Sequence, residues 1–333
     1  MTAVPFGRGV RIAGTGRAVP AEELTNKELE KIVDTSDEWI QQRTGIKARR
    51  RANESETVFS LGRDALLKAL AQSGINAADL DMIIVASVSG EMICPSTAAR
   101  ISEAVGADEA AVFDLAAACS GFLYGMNLAD TMIRCGRAKN VAVIGVEVLT
   151  RLVDWSDRSV SIIFGDGAGA AIFTADPDPS KGCIHQTMRG DGRLWRTLYH
   201  PKLDRDVPAG DEANPIRLGH LRMHGREIYK FAVTRFQEAI REALDATGMK
   251  VDDVQQYICH QSNIRIIESA IEKLQLPADR VYINIDRYGN TSAASIPICL
   301  DELLEAKTIG PGKPIILVAF GAGVTWASCV WNM

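Results

Sequence analysis

Cys119 sits in the run Val112-Phe-Asp-Leu-Ala-Ala-Ala-Cys119-Ser-Gly-Phe-Leu-Tyr-Gly125, where an apolar strand pattern passes through small residues into a helical one. That places a thiol at a helix N-terminus, where unpaired backbone N–H groups and the positive end of the helix dipole favour thiolate over thiol. A cysteine so placed is equipped for covalent catalysis. A small buried hydrophobe is the alternative, since free cysteines commonly pack as such. The seven cysteines, at 94, 119, 135, 183, 259, 299 and 329, are odd in number and form no CxxC pair, so neither a disulfide framework nor a structural zinc site is indicated.

An internal repeat supplies partners for Cys119. Ala65-Leu-Leu-Lys-Ala-Leu-Ala-Gln-Ser-Gly74 matches Ala239-Ile-Arg-Glu-Ala-Leu-Asp-Ala-Thr-Gly248, an offset of 174 (248 less 74). Gly136-Arg-Ala-Lys likewise matches Gly310-Pro-Gly-Lys, whereas Cys119 with Asp130 matches Asn290 with Asp301 at an offset of 171, which a small indel explains. Two copies packed about a pseudo-twofold axis bring Cys119 to face Asn290. His260 then ends the strand equivalent to Asp81–Ser87. Cysteine, histidine and asparagine converging from distant parts of the chain favour a nucleophilic Cys119. Hydrolytic Cys-His-Asn chemistry is disfavoured, because Asn290 stands opposite the nucleophile and not behind the histidine.

Strand and helix alternate through the elements that must hold these residues. Val10–Thr15 reads as a strand; Gly14-Thr-Gly16 after it lacks a third glycine and meets Pro20 where a dinucleotide-binding helix would begin. Asn26–Val33 is a short amphipathic helix, and Thr35 with Glu38 forms a capping-box pattern for a second helix that Gly45 stops. Trp39 and Arg43, four apart, share a face of it. Helices over Val58–Ser73, Pro95–Val105 and Cys119–Cys135 alternate with strands over Asp81–Val88, Ala111–Leu115 and Val141–Val148, so an α/β architecture with parallel or mixed sheets is expected. Phe164-Gly-Asp-Gly-Ala-Gly-Ala-Ala-Ile-Phe173 leads into a strand, which points to close backbone packing in place of a phosphate cradle. Arg189–Gly225 is polar and irregular, holds His200, His220, His224 and Trp195 without metal-ligand spacing, and reads as a lid, a tunnel wall or a solvated loop.

The bulk numbers exclude several classes. With 333 residues, 47% hydrophobic and 24% charged, the chain is a folded protein of two domain-sized units or one duplicated core, and a net charge of −5 argues against a general nucleic-acid binder. The first eleven residues lack a basic segment followed by an apolar run, so no secretory signal is expected and the cytoplasm is the expected location. Val141–Leu149 and Pro314–Ala327 fall short of the roughly 18 apolar residues of a membrane span.

Asp34-Thr-Ser-Asp-Glu-Trp-Ile, Arg43-Thr-Gly-Ile, Asp114-Leu-Ala-Ala-Ala-Cys119, the 164–171 glycine run, His260-Gln-Ser-Asn263, Arg287-Tyr-Gly-Asn-Thr-Ser-Ala-Ala-Ser295 and Phe320-Gly-Ala-Gly-Val-Thr-Trp326 occur in this order along essentially the whole chain. In them the chain resembles β-ketoacyl-acyl-carrier-protein synthase III, the initiating condensing enzyme of type II fatty-acid synthesis in the thiolase superfamily. The resemblance implies a duplicated, five-layer α-β-α-β-α fold with mixed sheets, usually a homodimer. Residues 1–175 would form the half with the nucleophile, 176–225 an irregular tunnel segment and 226–333 the half with histidine and asparagine.

It further implies Cys119, His260 and Asn290 as the catalytic set, with backbone N–H groups of Cys119 and Ala322 holding an oxyanion. Trp39 and Arg158 would sandwich the adenine of coenzyme A, with Arg43 beside them and Asn263 near the pantetheine arm. Lys230, Gln261, Arg265 and Lys273 would receive an acidic acyl-carrier protein. No permanently bound cofactor or metal is implied; an acyl-CoA thioester is the substrate.

The chain departs from the family pattern in three places. Gly321-Ala-Gly323 replaces a frequent triple glycine, which a backbone donor tolerates if Ala322 has negative φ. Cys94 stands where a bulky aromatic often limits the acyl pocket across the dimer, hinting at a longer or branched primer. The Arg189–Gly225 stretch looks longer than usual. Two further readings stay open: an acyltransferase or condensing enzyme of secondary metabolism with Glu91 as an extra base, and a non-enzymatic scaffold of the same fold.

Overall fold

The computed structural model describes residues 7–211 and 218–333; the first six residues, part of the segment read for a secretory signal, and 212–217 of the irregular stretch lie outside the described residues. Two five-stranded mixed sheets dominate. The first uses β1 (Gly9–Ala18), β2 (Met82–Ala86), β3 (Ala111–Leu115), β4 (Asn140–Glu147) and β5 (Gly167–Asp176), in the order β1-β5-β4-β2-β3. The second uses β6 (Gly182–Gly190), β7 (Gln256–Cys259), β8 (Val281–Tyr282), β9 (Pro314–Gly321) and β10 (Thr325–Asn332), in the order β6-β10-β9-β7-β8. Each strand of one sheet has its counterpart at the same place in the other, with the same parallel and antiparallel pairings. The thiolase-like layering follows from this doubling.

Alternation along the strands assigns their two faces to different cores. Ala142, Ile144 and Val146 of β4 pack outward against α2 (Val58–Ser73) and α3 (Thr97–Val105). Val141 and Val143 pack inward on α4 (Gly121–Arg134), which with α7 (Ser295–Glu305) forms the central layer. Beyond the second sheet, α5 (Gly225–Thr247) and α6 (Ile264–Leu274) close the stack over Tyr257, Val318 and Phe320. Because sheets flank it on both sides, α4 buries Phe122, Leu123, Met126, Ala129 and Ile133 completely.

The repeat keeps one register where the sequence reading allows a three-residue drift. The starts of β2 and β7, of β4 and β9 and of α4 and α7 all differ by 174, as do the left-handed residues Ala118 (φ 46°) and Ser292 (φ 48°). The counterpart of Cys119 is therefore Ala293, not Asn290. Asn290 lies three residues earlier, in an extended segment bridged to Phe164. Side-chain similarity misled the alignment; backbone geometry decides it.

Three boundaries also differ from expectation. β6 extends through the first part of the 176–225 segment, because its outer edge position tolerates a half-exposed, polar sequence. The helix carrying Trp39 is α1 (Asp37–Thr44), capped by Ser36 accepting from Trp39 N at 3.2 Å, so Thr35 is not its cap. The capping box closes one helix earlier, between Thr25 and Glu28. The glycine run does serve close packing: a Cβ at Gly165 would lie 2.2 Å from the Tyr288 carbonyl oxygen and one at Gly169 2.7 Å from Pro297 Cβ.

Candidate functional site

Cys119 lies in a single 3-10 turn, Ala118–Ser120, between β3 and α4, after a residue held in left-handed backbone. Strain at a non-glycine residue persists only where surroundings enforce it. Here Thr325 Oγ1 of β10 donates to the Ala117 carbonyl at 3.0 Å, tying the second half to the turn. Gly321 at the end of β9 approaches from the same side; a Cβ there would lie 2.7 Å from Cys119 N, so only glycine fits.

His260 follows β7 directly, its N–H donating to Val318 O at 2.8 Å. It is 1% exposed. Nδ1 is 2.7 Å from Ser295 Oγ at the start of α7, while Nε2 has no partner. Burial pulls its pKa down to about 3, so the ring is neutral at working pH. Asn290 is locked at both ends of its peptide by Ile163 O and Gly165 N, and its Oδ1 accepts from Ser292 N at 2.8 Å. That fixes the amide orientation and leaves Nδ2 as the donor.

Cys119, His260 and Asn290 line one cavity of about 650 Å³, together with Phe320, Gly321 and Ala322. The convergence expected from the sequence is present. Its electrostatics are not those expected: burial pushes the Cys119 thiol up to about 12, with the nearby Glu147 charge adding to the rise and the Ser292 hydroxyl opposing it. Desolvation outweighs the helix terminus, because Cys119 is 6% exposed and α4 proper begins only at Gly121. Thiol and imidazole thus form a neutral pair at rest. Ala322 does not adopt positive φ, which meets the condition for its N–H to act as a donor.

The cavity opens past Thr197, Leu198 and Met223 of the irregular stretch toward Trp39, Arg43, Arg158 and Asn263. Arg158 lies over the Trp39 ring at 5.2 Å from its centroid and Arg43 at 5.6 Å. The Arg158 side chain is half exposed over that ring. Asn263 caps α6, accepting from Arg265 N at 3.0 Å, and donates to Arg43 O at 3.0 Å, joining the two halves at the mouth.

Lys230, Arg265 and Lys273 are exposed, and Arg265 and Arg226 border the cavity. Gln261 does not belong with them. It is 1% exposed, donates to Cys259 O and Tyr282 O and accepts from Asn284 N and Ile285 N, which leaves nothing for a partner. Cys94 is exposed and does not line this chain's own cavity. Glu91 is also remote from it, held by Arg100 at 2.6 Å and by Phe59 N, so it is not a base for this cavity.

Sequence reading missed Ser295, Ser292 and Glu147. The pattern Asn290-Thr-Ser-Ala-Ala-Ser295 names the serines but not their partners, and Glu147 signals itself only as an acid closing an otherwise apolar strand. Among the described residues no group of three or more His, Cys, Asp or Glu is disposed to hold a metal, and no helix is long and apolar enough to cross a membrane.

Residues 113–192 match the family described as 3-Oxoacyl-[acyl-carrier-protein (ACP)] synthase III, and residues 244–333 its C-terminal part. A beta-ketoacyl-[acyl-carrier-protein] synthase III of Caldanaerobacter subterraneus subsp. tengcongensis is 45% identical over 319 residues, 96% of each chain. The crystal structure of 3-oxoacyl-[acyl-carrier-protein] synthase III from Aquifex aeolicus VF5 superposes with a TM-score of 0.90 at 42% identity, covering 98% of this chain and 100% of that one. The priming beta-ketosynthase from the R1128 polyketide biosynthetic pathway gives 0.88 at 33% identity, covering 99% and 98%. Identity of this degree over nearly the full length, on the same doubled fold, means that the chain belongs to the β-ketoacyl-acyl-carrier-protein synthase III family.

Proposed function

We propose that this enzyme condenses an acyl-CoA primer with malonyl-acyl-carrier protein, releasing carbon dioxide, to start fatty-acid chains. The observation carrying this reading is one cavity whose floor presents a buried thiol, a neutral imidazole with a bare Nε2 and an oriented amide. The Cys119 sulfur attacks the thioester carbonyl while its proton passes to His260 Nε2, in the tautomer whose Nδ1–H donates to Ser295. The N–H groups of Cys119 and Ala322 hold the oxyanion until coenzyme A leaves, taking that proton. After malonyl-acyl-carrier protein enters, loss of carbon dioxide leaves an enolate. Proton exchange with solvent, one lost from Nδ1 and one gained at Nε2, converts His260 to the tautomer whose Nδ1 accepts from Ser295, and its Nε2–H and Asn290 Nδ2–H donate to the enolate oxygen. Its carbon attacks the acyl-cysteine, the Cys119 sulfur departs as a thiolate that takes a proton from solvent, and β-ketoacyl-acyl-carrier protein is released.

Trp39, Arg43, Arg158 and Asn263 at the mouth suit a nucleotide and its pantetheine arm. Lys230, Arg265 and Lys273 suit an acidic carrier protein. Two copies pairing through β3 would cover an edge whose Phe113 is 36% exposed, beside a loop with Ile93 at 90% and Met92 at 50%, and would bring Cys94 of one copy toward the other's acyl pocket. Seven free cysteines support the reducing cytoplasm.

The test incubates the protein with labelled acyl-CoA and malonyl-acyl-carrier protein and measures acyl-Cys119 by intact mass and carbon dioxide release. Acylation without carbon dioxide release would defeat the condensing role. Similarity to the polyketide priming enzyme favours one second reading, the same condensation serving secondary metabolism. Comparing carrier proteins from the two kinds of pathway as acceptors separates the readings.

A further inference from the structure

Glu147, the last residue of β4, is completely buried, and the mechanism above leaves it unused. Its Oε2 accepts from Ser89 Oγ at 2.5 Å, Ser87 Oγ at 3.2 Å and Val88 N at 3.2 Å. Its Oε1 accepts from Ser292 Oγ at 3.0 Å. All four donors are neutral, so no cation among them balances a carboxylate here. Asp166, another fully buried acid of this half, is taken up by Thr150 and Ala52. Cys119 is the titratable group that the Glu147 charge works against.

Ser292 is the hinge of the arrangement. It is held at φ 48° in a turn that packs against the Cys119 turn, its N–H holds Asn290 Oδ1, and its hydroxyl donates to Glu147. A hydroxyl has one proton to give. While an anionic Glu147 takes it, that proton is withheld from a Cys119 thiolate, and the carboxylate charge repels the same thiolate across a dry interior. Once Glu147 is protonated, the Ser292 hydroxyl can turn to donate to sulfur.

We infer that Glu147 is a positioning residue for the nucleophile, setting through Ser292 how readily Cys119 ionises. The inference rests on Cys119 being the nucleophile. Burial also moves the Glu147 carboxyl up to about 7, so the device switches within the working pH range.

The experiment follows iodoacetamide alkylation of the Cys119 peptide by mass spectrometry across pH in the full-length protein. At pH 8.5, where the wild-type carboxyl is ionised, Glu147→Gln is expected to alkylate at least threefold faster. At pH 5.5, where it is protonated, the two proteins react alike, a contrast that a merely structural role would not produce. Glu147→Asp keeps the charge and stays slow at pH 8.5. Ser292→Ala removes the donor that a protonated Glu147 frees for sulfur, so it slows alkylation at pH 5.5 and shrinks the effect of Glu147→Gln at pH 8.5 in the double variant. Equal rates for wild type and Glu147→Gln at pH 8.5 overturn the inference. Should that variant fail to fold, a Ser292→Ala profile identical to wild type overturns it instead. Absence of label from Cys119 in the wild type strikes the proposed nucleophile itself, a separate failure.

Discussion

At the start of α4 stands Cys119 and at the matching place before α7 stands Ala293. Past the end of β2 stands Ala86's neighbour Ser87, while His260, the counterpart of Ala86 itself, follows β7; the end of β4 carries Glu147 where the end of β9 carries Gly321. The halves repeat each other in strand order and register, and even in the left-handed residue before each central helix. They differ in the side chains that the shared backbone presents. One half offers the sulfur and a buried acid. The other offers an imidazole, an amide and a glycine small enough to let its backbone reach the sulfur. Duplication makes the cleft, and divergence of a few positions gives its two walls different side chains.

Exchanging side chains between the two walls has the largest expected effect. Cys119→Ala is expected to abolish acyl transfer, and adding Ala293→Cys should not restore it, because the second turn lacks the His260 and Gly321 that face the first. Intact-mass detection of an acyl adduct on the double variant would show the walls to be interchangeable. Next in size, Asn290→Ala should leave acylation near normal yet slow decarboxylation by roughly 10²–10³, the usual cost of one oxyanion donor. Equal losses in both half-reactions would mean that Asn290 serves the fold and not the second step.

Gly321→Ala tests the close approach of the halves. With a Cβ 2.7 Å from Cys119 N the turn must shift, and acylation should drop by about tenfold or more, since small misplacements near reacting atoms are costly. Ala322→Gly, by contrast, should change little. The smallest effect is on stability. His260 stays neutral in the folded protein down to about pH 3, whereas in the unfolded chain it takes up a proton below about 6.5. The unfolded state therefore binds more protons in that window, and its advantage grows as pH falls. Melting temperatures of His260→Gln should accordingly fall less steeply than wild type between pH 6 and 4; parallel curves would show that the ring is not held neutral.

Much of this molecule is legible in its sequence. Apolar runs give β2, β3 and β4 within two residues at either end, whereas β1 runs on to Ala18, three residues past the expected Thr15. The duplication sets His260 just past β7, at the place matching Ala86, but it pairs Cys119 with Ala293, so Asn290 reaches the cleft only through the fold. What misleads is local reasoning about solvent. A helix N-terminus favours a thiolate only where water and N–H groups reach it, and Gln261 looks like a surface amide until four internal partners claim it.

The order of elements and the doubled architecture belong to the sequence, since hydrophobic period and turn residues act over a few positions at a time. The alignment of Cys119 with Ala293, the neutral state of thiol and ring, and the reach of Glu147 to Ser292 across 145 positions belong to the folded chain. These depend on which surfaces meet and which groups lose their water, and neither is written at any single position.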